Sequence, residues 1–257
     1  MQGRDYTDIG GTGRAFLTTH WSLIEEVQQG PEQDLALVGV LLERYWKPVY
    51  CYCRQKGYDN EQAKDLTQGF FHDIVLNLNL IQRADPSKGR FRSFLLHALN
   101  QYLMNDRRRE NAIKRIPPNK IVSLDSLEIP VLPQSVTESG PEHSYHYAWV
   151  STLLDQVLSE VQRNCVAQGL DIHWQVFQAR VVQPLLHNTT ARPLSELCDE
   201  YGIESEKKAS NMIVTVKRRF QTTLKEAIRN TVTSEAEIAD ELQEIMQFLP
   251  KRAQHSQ

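Results

Sequence analysis

The sequence predicts an all-α protein of two helical domains, and three observations carry that prediction. Strand-type alternation is nearly absent, whereas apolar residues at i, i+3, i+4 and i+7 recur through most of the 257 residues. Composition shifts at Ile116-Pro117-Pro118 into a stretch rich in Pro, Ser and Glu that lacks periodicity as far as Tyr145. Helical pattern then resumes at Trp149, and no internal repeat points to a solenoid. The resulting plan is a disordered arm over 1–15, a helical domain over 16–115 and a flexible linker over 116–146. A second helical domain over 147–232 and an acidic helix and tail over 233–257 complete it.

The elements follow in chain order. A short helix after Phe16 to His20 turns Trp21, Leu23, Ile24 and Val27 to one face. From Asp34 to Gln55 the pattern is helical and aromatic-rich, with Pro48 predicting a kink or a break. A second helix begins after Gly57-Tyr58, capped by Asp59 or Asn60, and carries Ala63, Leu66, Phe70, Ile74 and Leu78 on one stripe. Asp85 to Gly89 is a turn, and a third helix runs from Arg90 to Arg109 with Phe91, Phe94, Leu95, Ala98 and Tyr102 inward. Beyond the composition break, helices are expected from Trp149 to Val161, from Ile172 to Leu186 and from Glu235 to Leu249.

The sharpest local pattern lies between Arg192 and Ile228. Leu194, Leu197, Cys198 and Tyr201 fall on one face of a short helix, with Pro193 in its first turn. Gly202 stands where a helix ends in a left-handed residue, and Ser205 is placed to cap the next one. On that next helix Ala209, Met212, Ile213, Val216, Phe220 and Leu224 align, leaving Lys207, Asn211, Val214 and Arg218 opposite. Lys208, Ser210 and Thr215 flank them. Asn suits adenine edges, Lys and Arg suit guanine and phosphate, and an apolar side chain suits the thymine methyl. The pattern therefore reads as a helix-turn-helix. A solvated basic surface is the plainer alternative for the same residues.

Charge supports two polyanion contacts on a chain whose net charge is only −3. One basic island spans Arg90 to Arg115 and the other Glu206 to Ile228, while acidic residues gather between Glu235 and Glu244. No apolar run is long enough to span a membrane and no secretory leader is read, so the cytoplasm is the expected location. The four cysteines form no C-x-x-C pair, and His143 and His146 lack further ligands, so no metal is expected. Gly10 to Gly13 lacks the trailing Lys-Ser/Thr of a phosphate loop, and no catalytic motif appears. The expectation is a protein without enzyme activity or cofactor.

Two blocks, YWKPVYCYCRQKGYDNEQAKDLTQGFFHDIV and GRFRSFLLHALNQYLMNDRRR, resemble region two of the extracytoplasmic-function sigma factors of bacterial RNA polymerase. The helix-turn-helix resembles their region four, and the resemblance covers roughly Phe16 to Leu249. It implies a factor that binds core RNA polymerase through its β′ clamp helices and β flap and directs initiation at promoter DNA. An anti-sigma factor is a further partner such chains admit. The family's D-x-x-Q stands here as Asp65-Leu66-Thr67-Gln68, so Asp65, Gln68, Phe71 and Asp73 are the implied polymerase-facing residues. Gly69 departs from the family's usual acidic residue, and a mid-helix glycine costs about 1 kcal/mol against alanine. Minus-ten recognition is implied for Arg92, His97, Asn100, Gln101, Asn105, Arg107, Arg108 and Arg109. Minus-thirty-five recognition is implied for Lys207, Lys208, Ser210, Asn211, Val214, Thr215 and Arg218. A rival reading is a helix-turn-helix regulator that never touches polymerase, which leaves the Asp65 and Arg92 helices without a role.

Overall fold

The computed structural model describes residues 24, 35–72, 80–110, 136, 138–187, 189–229, 231–232 and 234–248. Among them the protein is all-α, with helices and short helical turns and no strand. Helix α1 spans Leu35–Gln55, α2 Asn60–Phe70, α3 Phe91–Glu110, α4 Pro141–Ala167 and α5 Asp171–Phe177. A π-helical turn, Gln178–Val182, joins α5 to α6 at Gln183–His187, and α7 (Leu194–Tyr201), α8 (Glu206–Arg229) and α9 (Glu235–Gln247) follow. The chain divides into two compact units, residues 1–149 with 230–233, and residues 150–229 with 234–257.

In the first unit, α1 continues through Pro48, so of the kink or break expected there the break does not occur. Tyr45, Val49 and Tyr52 of this helix are buried. Gly57, at φ 93°, ends the turn after α1, a conformation glycine adopts without a Cβ clash. Asp59 then starts α2 with a capping box: its carboxylate accepts from the Gln62 amide at 2.8 Å and its own amide donates to Gln62 Oε1 at 3.0 Å. Ala63, Leu66, Thr67 and Phe70 are the buried stripe of α2, as the spacing requires. On α3, Phe91, Leu95, Ala98, Leu99 and Leu103 face inward, and the Tyr45 and Phe91 rings meet edge to face at 5.7 Å.

The sequence expectation ended the linker at 146, but α4 begins at Pro141. Residues 141–149 belong to the first unit. Tyr145 is fully buried there, and its hydroxyl donates to the Arg92 carbonyl at 3.1 Å. Tyr52 meets the Tyr145 ring edge-on at 6.4 Å, and its hydroxyl reaches Glu142 at 3.2 Å. Tyr52 and Tyr145 therefore form part of a packed core, with the exposed Glu142 at its edge, which no local periodicity over so short a stretch reveals.

In the second unit α8 packs along α5 and α7. Val176, Ala179, Leu197, Cys198, Ile203 and Ala209 form its core, with Leu194, Tyr201, Met212 and Ile213 against them. Arg180 of the π turn donates to the Arg192 carbonyl just ahead of α7. The Arg192 guanidinium bonds the Glu200 carboxylate at 2.5 Å and holds it below its ordinary pKa.

Candidate nucleic-acid interface

The α7–α8 pair is built as the residue pattern requires. Pro193 precedes α7 at its cap, one position outside the first turn, where its missing N–H leaves no helical bond unmade. Gly202 ends α7 at φ 64°, ψ 38°, and the Ile203 amide donates back to the Cys198 carbonyl at 2.9 Å. Ile203 is buried, which pins the turn. Ser205 Oγ accepts from the Lys208 amide at 3.3 Å and starts α8.

Burial on α8 separates two faces. Ala209 and Val216 are buried and Met212, Ile213, Phe220 and Leu224 half-buried. Lys207, Lys208, Ser210, Asn211, Val214 and Arg218 are exposed, and Thr215 is half-buried. Val214 is 41% exposed, an apolar side chain in a polar row. The Thr215 hydroxyl donates to the Asn211 carbonyl at 2.9 Å, so its proton is held by its own helix. Lys208 pairs with Glu204 at 3.0 Å, whereas Lys207 and Arg218 have no ion-pair partner among the described residues. The acidic α9 lies against α8 without covering this face.

In the first unit the polar positions of α3 divide. His97, Gln101 and Asn105 are exposed at i, i+4 and i+8, and Gln101 Nε2 lies 2.9 Å from His97 Nε2. Asn100 is half-buried, and its Oδ1 accepts from the Tyr52 hydroxyl. Arg92 corrects the expectation: it is 5% exposed, with its guanidinium 4.4 Å from the centroid of the Trp149 ring. It sits one position from Phe91 on the inward side, so its charge meets a ring instead of solvent. Helical backbone runs through Arg107, Arg108 and Arg109, whose side chains lie outside the described residues.

On α2, Asp65 is exposed and Gln68 half-buried, one turn apart on the outer side. Phe71 is a second correction. It is 4% exposed and meets Phe70 edge to face at 5.4 Å, because it lies beside the apolar stripe and the core closes over it. Asp73 lies outside the described residues. Gly69 is explained by packing: a Cβ there would overlap the Tyr102 hydroxyl of α3.

Two residues beside these faces stand out in the structure. Tyr52 orients Asn100, a relation only tertiary contact creates. Met104, 58% exposed on α3, carries a sequence signal: it is an apolar residue off the inward stripe of its helix. Among the described residues no helix is long and apolar enough to cross a membrane. No group of three or more His, Cys, Asp or Glu is placed among them to hold a metal ion. The chain matches no protein-family model, no curated protein and no solved structure.

Proposed function

We propose that this chain is a transcription initiation factor of the sigma type, which joins core RNA polymerase and directs it to promoters. The observation that carries the reading is the outward face of α8, where Lys207, Asn211, Val214 and Arg218 stand exposed after a glycine-turned short helix. In the major groove such a row supplies amide, cationic and apolar contacts to base edges and phosphates. This face is assigned to the minus-thirty-five element, with Lys208, Ser210 and Thr215 at its flanks.

The α3 face of His97, Asn100, Gln101 and Asn105, continuing into Arg107 to Arg109, is assigned to the minus-ten element. Asp65 and Gln68 are assigned to the β′ clamp helices of the polymerase, and the second unit to its β flap. Each DNA contact is weak by itself on a chain of net charge −3. Joining both through one polymerase complex raises the effective concentration of each at the other's site.

Run-off transcription with purified core polymerase and genomic fragments tests this reading. Specific new transcripts support it and identify the promoters. Absence of transcripts together with absence of core in a pull-down would replace it with the plain helix-turn-helix regulator.

A further inference from the structure

Duplex DNA attracts any row of cations through its phosphates, whatever its sequence. A promoter reader therefore gains discrimination where such a row is cut short. Helix α8 carries a long one. At about 100° per residue, Lys207, Asn211, Val214, Arg218, Lys225 and Arg229 fall within about 60° of one another. All are exposed. The helix holds seven Lys or Arg against two Glu over its 24 residues, a length of about 36 Å. The major groove is about 12 Å wide, and a recognition helix reads base edges with its N-terminal turns. Lys225 and Arg229, two and three turns past Arg218, lie beyond that reach, where only phosphates remain to be met.

Helix α9 ends that row. Its 13 residues hold five carboxylates and no Lys or Arg. Ile238 and Ile245 are buried, and the helix packs on α8 within the second unit. Packed helices have axes about 8–10 Å apart, close to the Debye length of about 8 Å at physiological salt. The carboxylates of α9 thus act on any phosphate that approaches the C-terminal half of α8. Glu235, its first residue, lies on the row itself: its Oε1 is 2.6 Å from the Arg229 guanidinium. Asp240 stands exposed further along. A pair as exposed as Arg229–Glu235 adds little to stability. Its effect on the row is larger, because it withdraws the final cation. Lys225 is then the last one on the stripe without an ion-pair partner among the described residues.

We propose that α9 is a charge stop for α8. Its carboxylates, with Glu235 on Arg229 foremost, confine duplex DNA to the face from Lys207 to Arg218 and so raise the preference for promoter over bulk DNA. This rests on the assignment of α8 to promoter DNA above and adds to it what excludes non-specific duplex. Glu235 is then a specificity-determining residue that touches no DNA.

The test titrates the full chain carrying Glu235→Gln and Asp240→Asn, both at exposed positions, onto a duplex of scrambled sequence over a range of salt. At about 50 mM salt the variant binds about tenfold tighter than the unaltered chain, and its log–log salt slope steepens by about 0.9, the value of one added phosphate contact. Adding Arg229→Gln returns the slope to that of the unaltered chain. On a promoter fragment found by run-off transcription, holoenzyme with the variant loses more occupancy to scrambled competitor DNA than unaltered holoenzyme does. Unchanged or weaker binding of the scrambled duplex by the variant overturns the inference, as does a slope change that survives Arg229→Gln. An equal gain on promoter and scrambled duplex also overturns it. In each of these cases, promoter-specific transcripts with the unaltered chain leave the proposed function standing. No duplex binding by either chain at any salt, with no transcripts from unaltered holoenzyme, would remove the assignment of α8 and the inference with it.

Discussion

The guanidinium of Arg92 lies 4.4 Å from the centroid of the Trp149 ring, joining α3 to the first turns of α4 within one unit. Arg92 was expected on DNA, and its burial turns the expectation into one about stability. Arg92→Ala should cost about 2 kcal/mol or more in denaturant unfolding, the scale of a desolvated cation–π contact. Arg92→Lys should recover only part of it, because an ammonium lacks the weakly hydrated planar guanidinium. A stability unchanged by Arg92→Ala would return the residue to the DNA-facing set.

Gly69 and Tyr102 make a second pair whose effects are coupled. Gly69→Ala should destabilise the protein although alanine favours helix, because the new Cβ meets the Tyr102 hydroxyl. The half-buried Tyr102 ring packs edge to face on Phe70 at 5.7 Å, so moving its hydroxyl aside disturbs that contact. In a Tyr102→Phe background the nearest atom to that Cβ is the ring carbon at 3.6 Å, an ordinary contact. There Gly69→Ala should become stabilising by up to about 1 kcal/mol. A double-mutant cycle in thermal unfolding reads the change of sign.

Gly202 tests the turn between α7 and α8. A Cβ at this position meets no atom within 4 Å, so the cost of Gly202→Ala is that of the left-handed backbone alone. About 1 kcal/mol is expected, with Gly202→Asn recovering a good part because asparagine tolerates this conformation. Equal losses for both variants would show that something other than backbone conformation is at work.

Cys51 and Cys53 give the protein a dependence on high pH. Burial pushes both thiols from an ordinary 9.0 up to about 12. The unfolded chain releases these protons near pH 9 while the folded chain holds them, so their contribution is complete below pH 9. It is lost as pH rises from about 9 to about 12, at up to about 1.4 kcal/mol per pH unit for each thiol. Tyr45, pushed from 10.0 to about 12 by burial, adds to the upper part of that window. Urea unfolding from pH 8 to 10.5 should show the decline, and the Cys51→Ala/Cys53→Ala protein should show a flatter one above pH 9.

On α8, Arg218→Ala should weaken promoter use by about tenfold, with core polymerase still retained in a pull-down. The loss should shrink at high salt if the contact is to phosphate. Loss of core retention in this variant would reassign the face.

Much of the architecture is legible in local residue spacing. Leu194, Leu197, Cys198 and Tyr201 mark α7, Gly202 marks its end, and the faces of α8 follow from a period of 3.6. Asp59 and Gln62 announce the start of α2. Such features depend on residues within a turn or two of one another, and helical geometry alone decides them. Local spacing is thus enough for the all-α class and for which side of α8 faces outward.

Tertiary packing decided the rest. Periodicity assigns a face but gives no account of what closes over its margin, and Phe71 and Arg92 both stand at a margin. Nor does it show that Pro141 to Trp149, past the composition break, supply Tyr145 and Trp149 to the first unit's core. Those placements depend on partners remote in the chain: Phe91 with Tyr45, Arg92 with Trp149, and Asn100 with Tyr52. A buried polar group lies where its hydrogen bond or ring partner awaits it, and only the folded chain brings such partners together.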